Sequence, residues 1–178
     1  LAFKMKHLLK VPSVKNKYMA LGTAFHRSLE LFFHEYIQTK TLPEKSLLIR
    51  NYTSALEKEL LTEDELHEML KIGEDGLSGY FEEYKNSMNV PLANEYNFSQ
   101  RNIYLEEAHL TGKIDKIELL KDREIKVVDY KTGSIKSDNV IEGNTKNSDG
   151  HLKRQILFYK ILCDLDQGLS QKYEMVSG

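Results

Sequence analysis

The 178-residue chain has a single cysteine, Cys163, so it cannot close an internal disulfide, build a zinc knuckle or supply four thiolates to an iron–sulfur cluster. That thiol lies in an apolar run, Ile161-Leu162-Cys163, and reads as a core thiol in a reducing, cytoplasmic setting. No run of about 18 apolar residues occurs, so no helical membrane span is expected. The opening LAFKMKHLLKVP lacks an apolar stretch followed by a small-residue cleavage site, and no signal peptide is expected. No glycine-rich phosphate loop followed by Lys-Ser/Thr is present, which excludes nucleotide hydrolysis by that route. A serine nucleophile elbow is also missing, and the lone cysteine has no flanking basic environment. An initiator Met is lacking, and the chain stops at KYEMVSG without a helix end or a polar tail; a segment of a longer protein is the expectation.

What is present is an ordinary single-domain composition, 40% hydrophobic and 29% charged, at a length that can bury a substantial core. The net charge of −2 rules out a uniformly cationic nucleic-acid binder, but the charge is uneven. Residues 1–20 carry five lysines (4, 6, 10, 15 and 17) and no acid, whereas Glu57–Glu83 holds ten acids against two lysines. Such asymmetry fits a nucleic-acid-facing end and a solvated back, and equally a pair of wet helix faces.

Apolar spacing predicts a helix over about Gly22–Ile37, with Thr23 as its N-cap, and a second over Glu44–Leu61. Thr62-Glu63-Asp64-Glu65 is a capping box that opens a third helix to about Lys85, with Gly73, Gly76 and Gly79 as weak points in its middle. After Pro91 the pattern turns to strands at Tyr96–Phe98, Asn102–Leu105, His109–Leu120 and Glu124–Lys131. A polar loop over Thr132–Gly150, a helix from Leu152 to about Leu165 and a strand within Lys172–Val176 complete the order. Helices, then a strand meander, then helix and strand make an α+β layout with a helical N-terminal half, distinct from a doubly wound sheet.

The informative stretch is LTGKIDKIELLKDREIKVVDYKTG, residues 110–133. Folded as a hairpin about Asp122, it sets Asp115 and Asp129, each seven residues from that centre, opposite one another. Alternation puts Asp115 with Ile117 and Leu119, and Asp129 with Ile125, Val127 and Lys131, while Lys116, Glu118 and Lys126 take the other, solvated face. Two carboxylates on an apolar face repel one another at a cost of several kcal/mol unless something neutralises them. A divalent metal does so, and Lys131 contributes. The alternative is that each aspartate pairs with a nearby base or sits at a wet strand end. His26, after Gly22-Thr23-Ala24-Phe25, reads on its own as a satisfied, partly buried histidine. Gln155 and Tyr159, one helical turn apart, read on their own as a surface amide and a core-edge aromatic.

These pieces occur together in one family. Gly22-Thr23-Ala24-Phe25-His26, Gly112-Lys113-Ile114-Asp115, Asp129-Tyr130-Lys131-Thr132-Gly133 and Gln155-Ile156-Leu157-Phe158-Tyr159 resemble the RecB-like nucleases of the PD-(D/E)XK superfamily, in order and across residues 22–159. The FKMKHLLKVPSV and ALGTAFHRSLE segments further resemble nuclease domains C-terminal to UvrD-type helicases. The resemblance implies a restriction-endonuclease-like core, a central mixed β-sheet flanked by helices, forming one domain over residues 1–178 within a longer helicase–nuclease chain. It implies a DNA nuclease of repair or recombination, with a helicase domain in the same chain or complex as partner. It also implies that Asp115, Asp129, His26 and the Tyr130 carbonyl bind Mg²⁺ or Mn²⁺, and that Lys131 handles the attacking water and the charge on the phosphate. Gln155 and Tyr159 would line the site, and Glu95 is a further acid where relatives often have one. Relatives with four cysteines carry an iron–sulfur cluster; this chain has no counterpart. A non-catalytic DNA-binding or scaffold module of the same fold is the alternative. Lys136, Lys146, Lys153 and Arg154 of the 133–154 loop are candidate phosphate contacts.

Overall fold

The computed structural model describes residues 16–134, 136–145, 148 and 150–178. The helical periodicity of the first half becomes three helices: α1 (Lys17–Thr39), α2 (Lys45–Leu56) and α3 (Glu63–Tyr84). The strand-like second half forms β1 (Ala93–Asn97), β2 (Ile103–Leu105), β3 (Ala108–Leu110), β4 (Lys113–Lys121), β5 (Glu124–Val128) and β6 (Glu174–Ser177). Between β5 and β6 lie α4 (Asp138–Ile141), α5 (His151–Leu165) and α6 (Gln167–Ser170). The chain divides into two compact units, one made of residues up to Leu29 with Glu44–Asn86, the other of Glu30–Pro43 with Ser87–Gly178. Helix α1 contributes to both.

In the first unit, α1 starts five residues before the expected point, and Thr23 is not its cap. The Asn16 side-chain oxygen accepts the Met19 N–H at 2.8 Å, the bond an N-cap makes, while the Thr23 hydroxyl donates to the Met19 carbonyl one turn back. Helix α2 ends at Leu56 rather than Leu61, because the apolar pattern gives out there and Leu60 is exposed. The capping box of α3 is formed as read: the Glu65 N–H reaches the Thr62 hydroxyl at 3.3 Å and the Thr62 N–H reaches the Glu65 carboxylate at 3.1 Å. Two of its three glycines, Gly73 and Gly76, have a packing reason. Tyr52 of α2 is fully buried, its hydroxyl donating to the Met69 carbonyl at 2.6 Å, and its ring lies so close to Gly73 that a Cβ there would meet ring atoms at 2.0–2.5 Å. The Phe25 ring meets Tyr52 edge-on and passes Gly76. Helices α2 and α3 therefore approach through a glycine-lined seat for one tyrosine.

In the second unit a four-stranded sheet runs in the order β1-β4-β5-β6, with β1–β4 and β4–β5 antiparallel and β5–β6 parallel. The parallel pair requires a crossover, which α5 supplies. Ile117, Ile125 and Val127 of the hairpin, Tyr159, Leu162 and Cys163 of α5, and Met175 of β6 share one buried cluster. This is the expected α+β architecture with a mixed sheet. The long strand expected over His109–Leu120 is broken at Thr111-Gly112 into β3, which pairs with β2 in a separate hairpin, and β4. The first strand also lies earlier than Tyr96–Phe98, and β5 stops at Val128, before Asp129-Tyr130-Lys131. The polar 132–150 stretch carries the short α4. Asp166, buried where α5 turns into α6, accepts N–H bonds from Gly168 and Leu169 at 2.7 and 3.2 Å and the Tyr96 hydroxyl at 3.2 Å, tying β1 to the end of α5. Among the described residues no helix is long and apolar enough to cross a membrane.

Gly73→Ala forces a methyl into the Tyr52 ring and is expected to destabilise by about 1–3 kcal/mol. Gly79→Ala, with nothing within 4 Å of the new methyl, is expected to be neutral or to stabilise by about 0.5–1 kcal/mol through helix propensity. Thermal unfolding of the two variants checks the contrast. Burial pushes the Cys163 thiol up to about 12, so iodoacetamide at pH 8 should leave it unmodified in the native chain and alkylate it in denaturant, as read by mass spectrometry.

Candidate active site

The β4–β5 register pairs Lys116 with Val128 and Ile117 with Val127; continued by one pair, it sets Asp115 against Asp129. The mirrored placement read from the sequence therefore holds, although Asp129 lies just past the end of β5. Asp115 is buried within β4, and its Oδ2 accepts the Tyr130 N–H at 2.8 Å. A side chain thus takes the place of the next ladder bond and stabilises the chain where it leaves the sheet. Buried carboxylates require such donors.

Ile117, Ile125 and Val127 are buried on the aspartate side, as alternation predicts, but Leu119 is 42% exposed because this face opens to solvent toward the hairpin tip. The opposite face departs further from expectation. Lys116 is not solvated: it is 4% exposed, its Nζ stands 4.4 Å from the Phe33 ring centroid and 2.5 Å from Glu118, and burial lowers its pKa. Glu118 and Lys126 are half-buried. The α1 segment that carries Phe33 covers this side, which the alternating pattern of β4 alone does not reveal.

Asp129 is held on both oxygens. Its Oδ1 accepts from Gln155 Nε2 at 3.0 Å and from the Tyr159 hydroxyl at 2.8 Å, and Gln155 also donates to the Tyr159 oxygen at 2.8 Å. Its Oδ2 faces Lys131 Nζ at 2.5 Å. One turn of α5 therefore presents two donors to a single carboxylate oxygen, and the surface-amide reading of Gln155 does not hold. Tyr159 is buried; burial first, then the bond to Asp129, hold its hydroxyl well above the usual phenol range, so it remains a donor at physiological pH. The Lys131 side chain is half exposed.

Glu95 carries more than the sequence suggested. The β1–β4 register pairs Asn94 with Lys116 and Tyr96 with Ile114, which sets Glu95 against Asp115 from the other side. Their carboxylate oxygens come within 4.8 Å of one another. Glu95 adopts φ 54°, a left-handed conformation that costs a non-glycine residue roughly 1–2 kcal/mol, and it pairs with Lys113. The sequence signal that was missed is this second pairing of β4. The register of β1 cannot be read without knowing where the chain turns between Asn97 and Lys113.

His26 lies on α1, half-buried, in the part that belongs to the first unit. One turn later on the same helix, the Glu30 carbonyl accepts Asn94 Nδ2 of β1 at 2.7 Å. Of the loop cations, Lys153 is paired with Glu142 and Lys136 donates to Ser134. Lys146 and the N-terminal Lys4, Lys6, Lys10 and Lys15 lie outside the described residues, as does the FKMKHLLKVPSV segment.

The sequence that folds into this mixed sheet, with opposed aspartates and a lysine at one end of its central hairpin and a helix carrying Gln and Tyr one turn apart, matches a known family. The model of the PD-(D/E)XK nuclease superfamily matches residues 1–176, and the chain belongs to that superfamily. No curated protein and no solved structure matches it.

Tyr159→Phe removes one of the two α5 donors on Asp129. Were Asp129 to hold a divalent cation, Gln155 and Tyr159 would be outer-sphere partners, a class typically worth about 10–100-fold in metal affinity or activity. A loss in that range in Mn²⁺ affinity, measured by calorimetry, is expected for Tyr159→Phe, and a larger one for the Gln155→Leu/Tyr159→Phe double variant.

Proposed function

We propose that this chain is a RecB-like, Mg²⁺- or Mn²⁺-dependent deoxyribonuclease that hydrolyses phosphodiester bonds in cytoplasmic DNA repair or recombination. In this reading it is one nuclease domain of a longer chain, working with a helicase in the same chain or complex. The continuous family match through both compact units supports a single domain. The observation that carries the activity is Asp129, fixed by Gln155 and Tyr159 on one oxygen and facing Lys131 on the other, in register with buried Asp115.

The donor chemistry fits a hard divalent cation. Asp115, Asp129, Glu95 and the Tyr130 carbonyl are oxygen ligands, and His26 is proposed as the single imidazole. When bound, such a cation lowers the pKa of a water and polarises the scissile phosphodiester. The residues do the rest. Gln155 and Tyr159 hold Asp129 in one rotamer, so that its second oxygen points toward Lys131. The Tyr130 N–H keeps Asp115 aligned and fixes the Asp129–Tyr130 peptide, one peptide before the carbonyl that is the proposed ligand. Lys131, half exposed beside Asp129, positions the attacking water and balances the negative charge that grows on the phosphate as water adds across one P–O bond. In the free protein Lys113 and Lys131 neutralise Glu95 and Asp129, which keeps a carboxylate-rich site folded.

Digestion of single- and double-stranded DNA tests the reading. The wild type should degrade DNA with Mg²⁺ or Mn²⁺ and stop in EDTA, and Asp129→Ala and Lys131→Ala should each lose at least about 100-fold. Equal degradation by all three proteins overturns the assigned site. DNA binding that persists in chelator, with no cleavage by any form, favours the scaffold alternative.

A further inference from the structure

The residue this reading leaves unused is Lys116. It sits beside the catalytic strand residue Asp115 but on the opposite face of the sheet, and it is nearly inaccessible. A buried ammonium is costly to desolvate, and a methionine of similar length fills the same space without that cost. Its surroundings indicate what the charge does there. Nζ stands 4.4 Å from the centroid of the Phe33 ring and 5.8 Å from that of the Tyr130 ring, both within the range where a cation is attracted to an aromatic face. Glu118, on the same face of β4, supplies the counter-charge at 2.5 Å. The neighbour of Lys116 on β1 is Asn94, which holds the Glu30 carbonyl, so the α1 segment bearing Phe33 is fixed to the same patch.

Tyr130 is the residue between Asp129 and Lys131, and it has already left β5, so no strand ladder holds it. Its peptide is gripped on one side of the sheet by Asp115 through the 2.8 Å N–H bond. On the other side its ring faces Lys116. We propose that Lys116 is a positioning residue: its buried ammonium holds the Tyr130 ring from the face opposite the aspartates and so fixes the Asp129-Tyr130-Lys131 segment against Asp115. The consequence for metal binding rests on the nuclease reading above; the positioning of Tyr130 does not.

Lys116→Met keeps the stem and removes the charge, Lys116→Arg keeps the charge, and Tyr130→Leu removes the ring. Amide hydrogen exchange by NMR on the full chain reads the Tyr130 N–H directly, Mn²⁺ calorimetry reads the site, and thermal unfolding monitors the fold. The expected result for Lys116→Met is about 10-fold faster exchange at Tyr130, with the Ile114 and Ile117 amides unchanged and the melting temperature held or raised. Mn²⁺ affinity should fall by a similar factor, Lys116→Arg should restore both, and Lys116→Met should add nothing to Tyr130→Leu. Wild-type exchange at Tyr130 in Lys116→Met overturns the proposal, as does acceleration spread evenly over β4. Faster exchange confined to Tyr130 in a chain that neither binds Mn²⁺ nor cuts DNA in any form supports the positioning role and overturns the nuclease reading.

Discussion

The second unit depends on one hydrogen bond, from the Tyr130 N–H to Asp115 Oδ2. Strand β5 ends at Val128, and this bond ties the chain to β4 two residues past that end. With it, the strand's alternation continues for three residues beyond its backbone ladder, and Asp129 and Lys131 stay on the side where α5 waits with Gln155 and Tyr159. The carboxylate that accepts this bond is thereby placed beside the one that Gln155, Tyr159 and Lys131 hold. The burial of Asp115 makes the bond stronger than it is in water.

Charge is handled locally throughout this end of the sheet. Glu95 has Lys113, Asp129 has Lys131 and Lys116 has Glu118. Each pair joins residues close in sequence or adjacent in the sheet. Two of the three pairs face the proposed metal side, and the third stays buried behind it.

The hairpin was legible because side-chain alternation has a period of two and the turn Lys121-Asp122-Arg123 marks its own centre; Asp115 and Asp129 followed from counting. The capping box of α3 was legible for a similar reason, since both partners lie within four residues. Glu95 was given little weight because its pairing with β4 spans a separate hairpin, β2–β3, whose second strand reads in sequence as continuous with β4. The burial of Lys116 was invisible for a related reason: it depends on Phe33, more than eighty residues away, folding over that face. The start of α1 was misplaced because Gly22 looked like a boundary, whereas Asn16 supplied the stronger cap. His26 rests on the family resemblance.

The β4–β5 ladder has a register shift between Leu119 and Lys121, on the tip side of the paired Ile117 and Val127. Beyond it, Arg123 donates to the carbonyls of Lys172 and Gln171, both at 2.9 Å, so the tip is moored to the far end of the unit. The hairpin is thus anchored at two ends that need not agree, with a bulge between them to absorb the difference. In evolutionary terms the tip is uncoupled from the aspartates. A residue gained or lost near Leu120 is taken up by the irregularity already there, so the length of this arm can drift while the geometry of Asp115 and Asp129 is inherited unchanged.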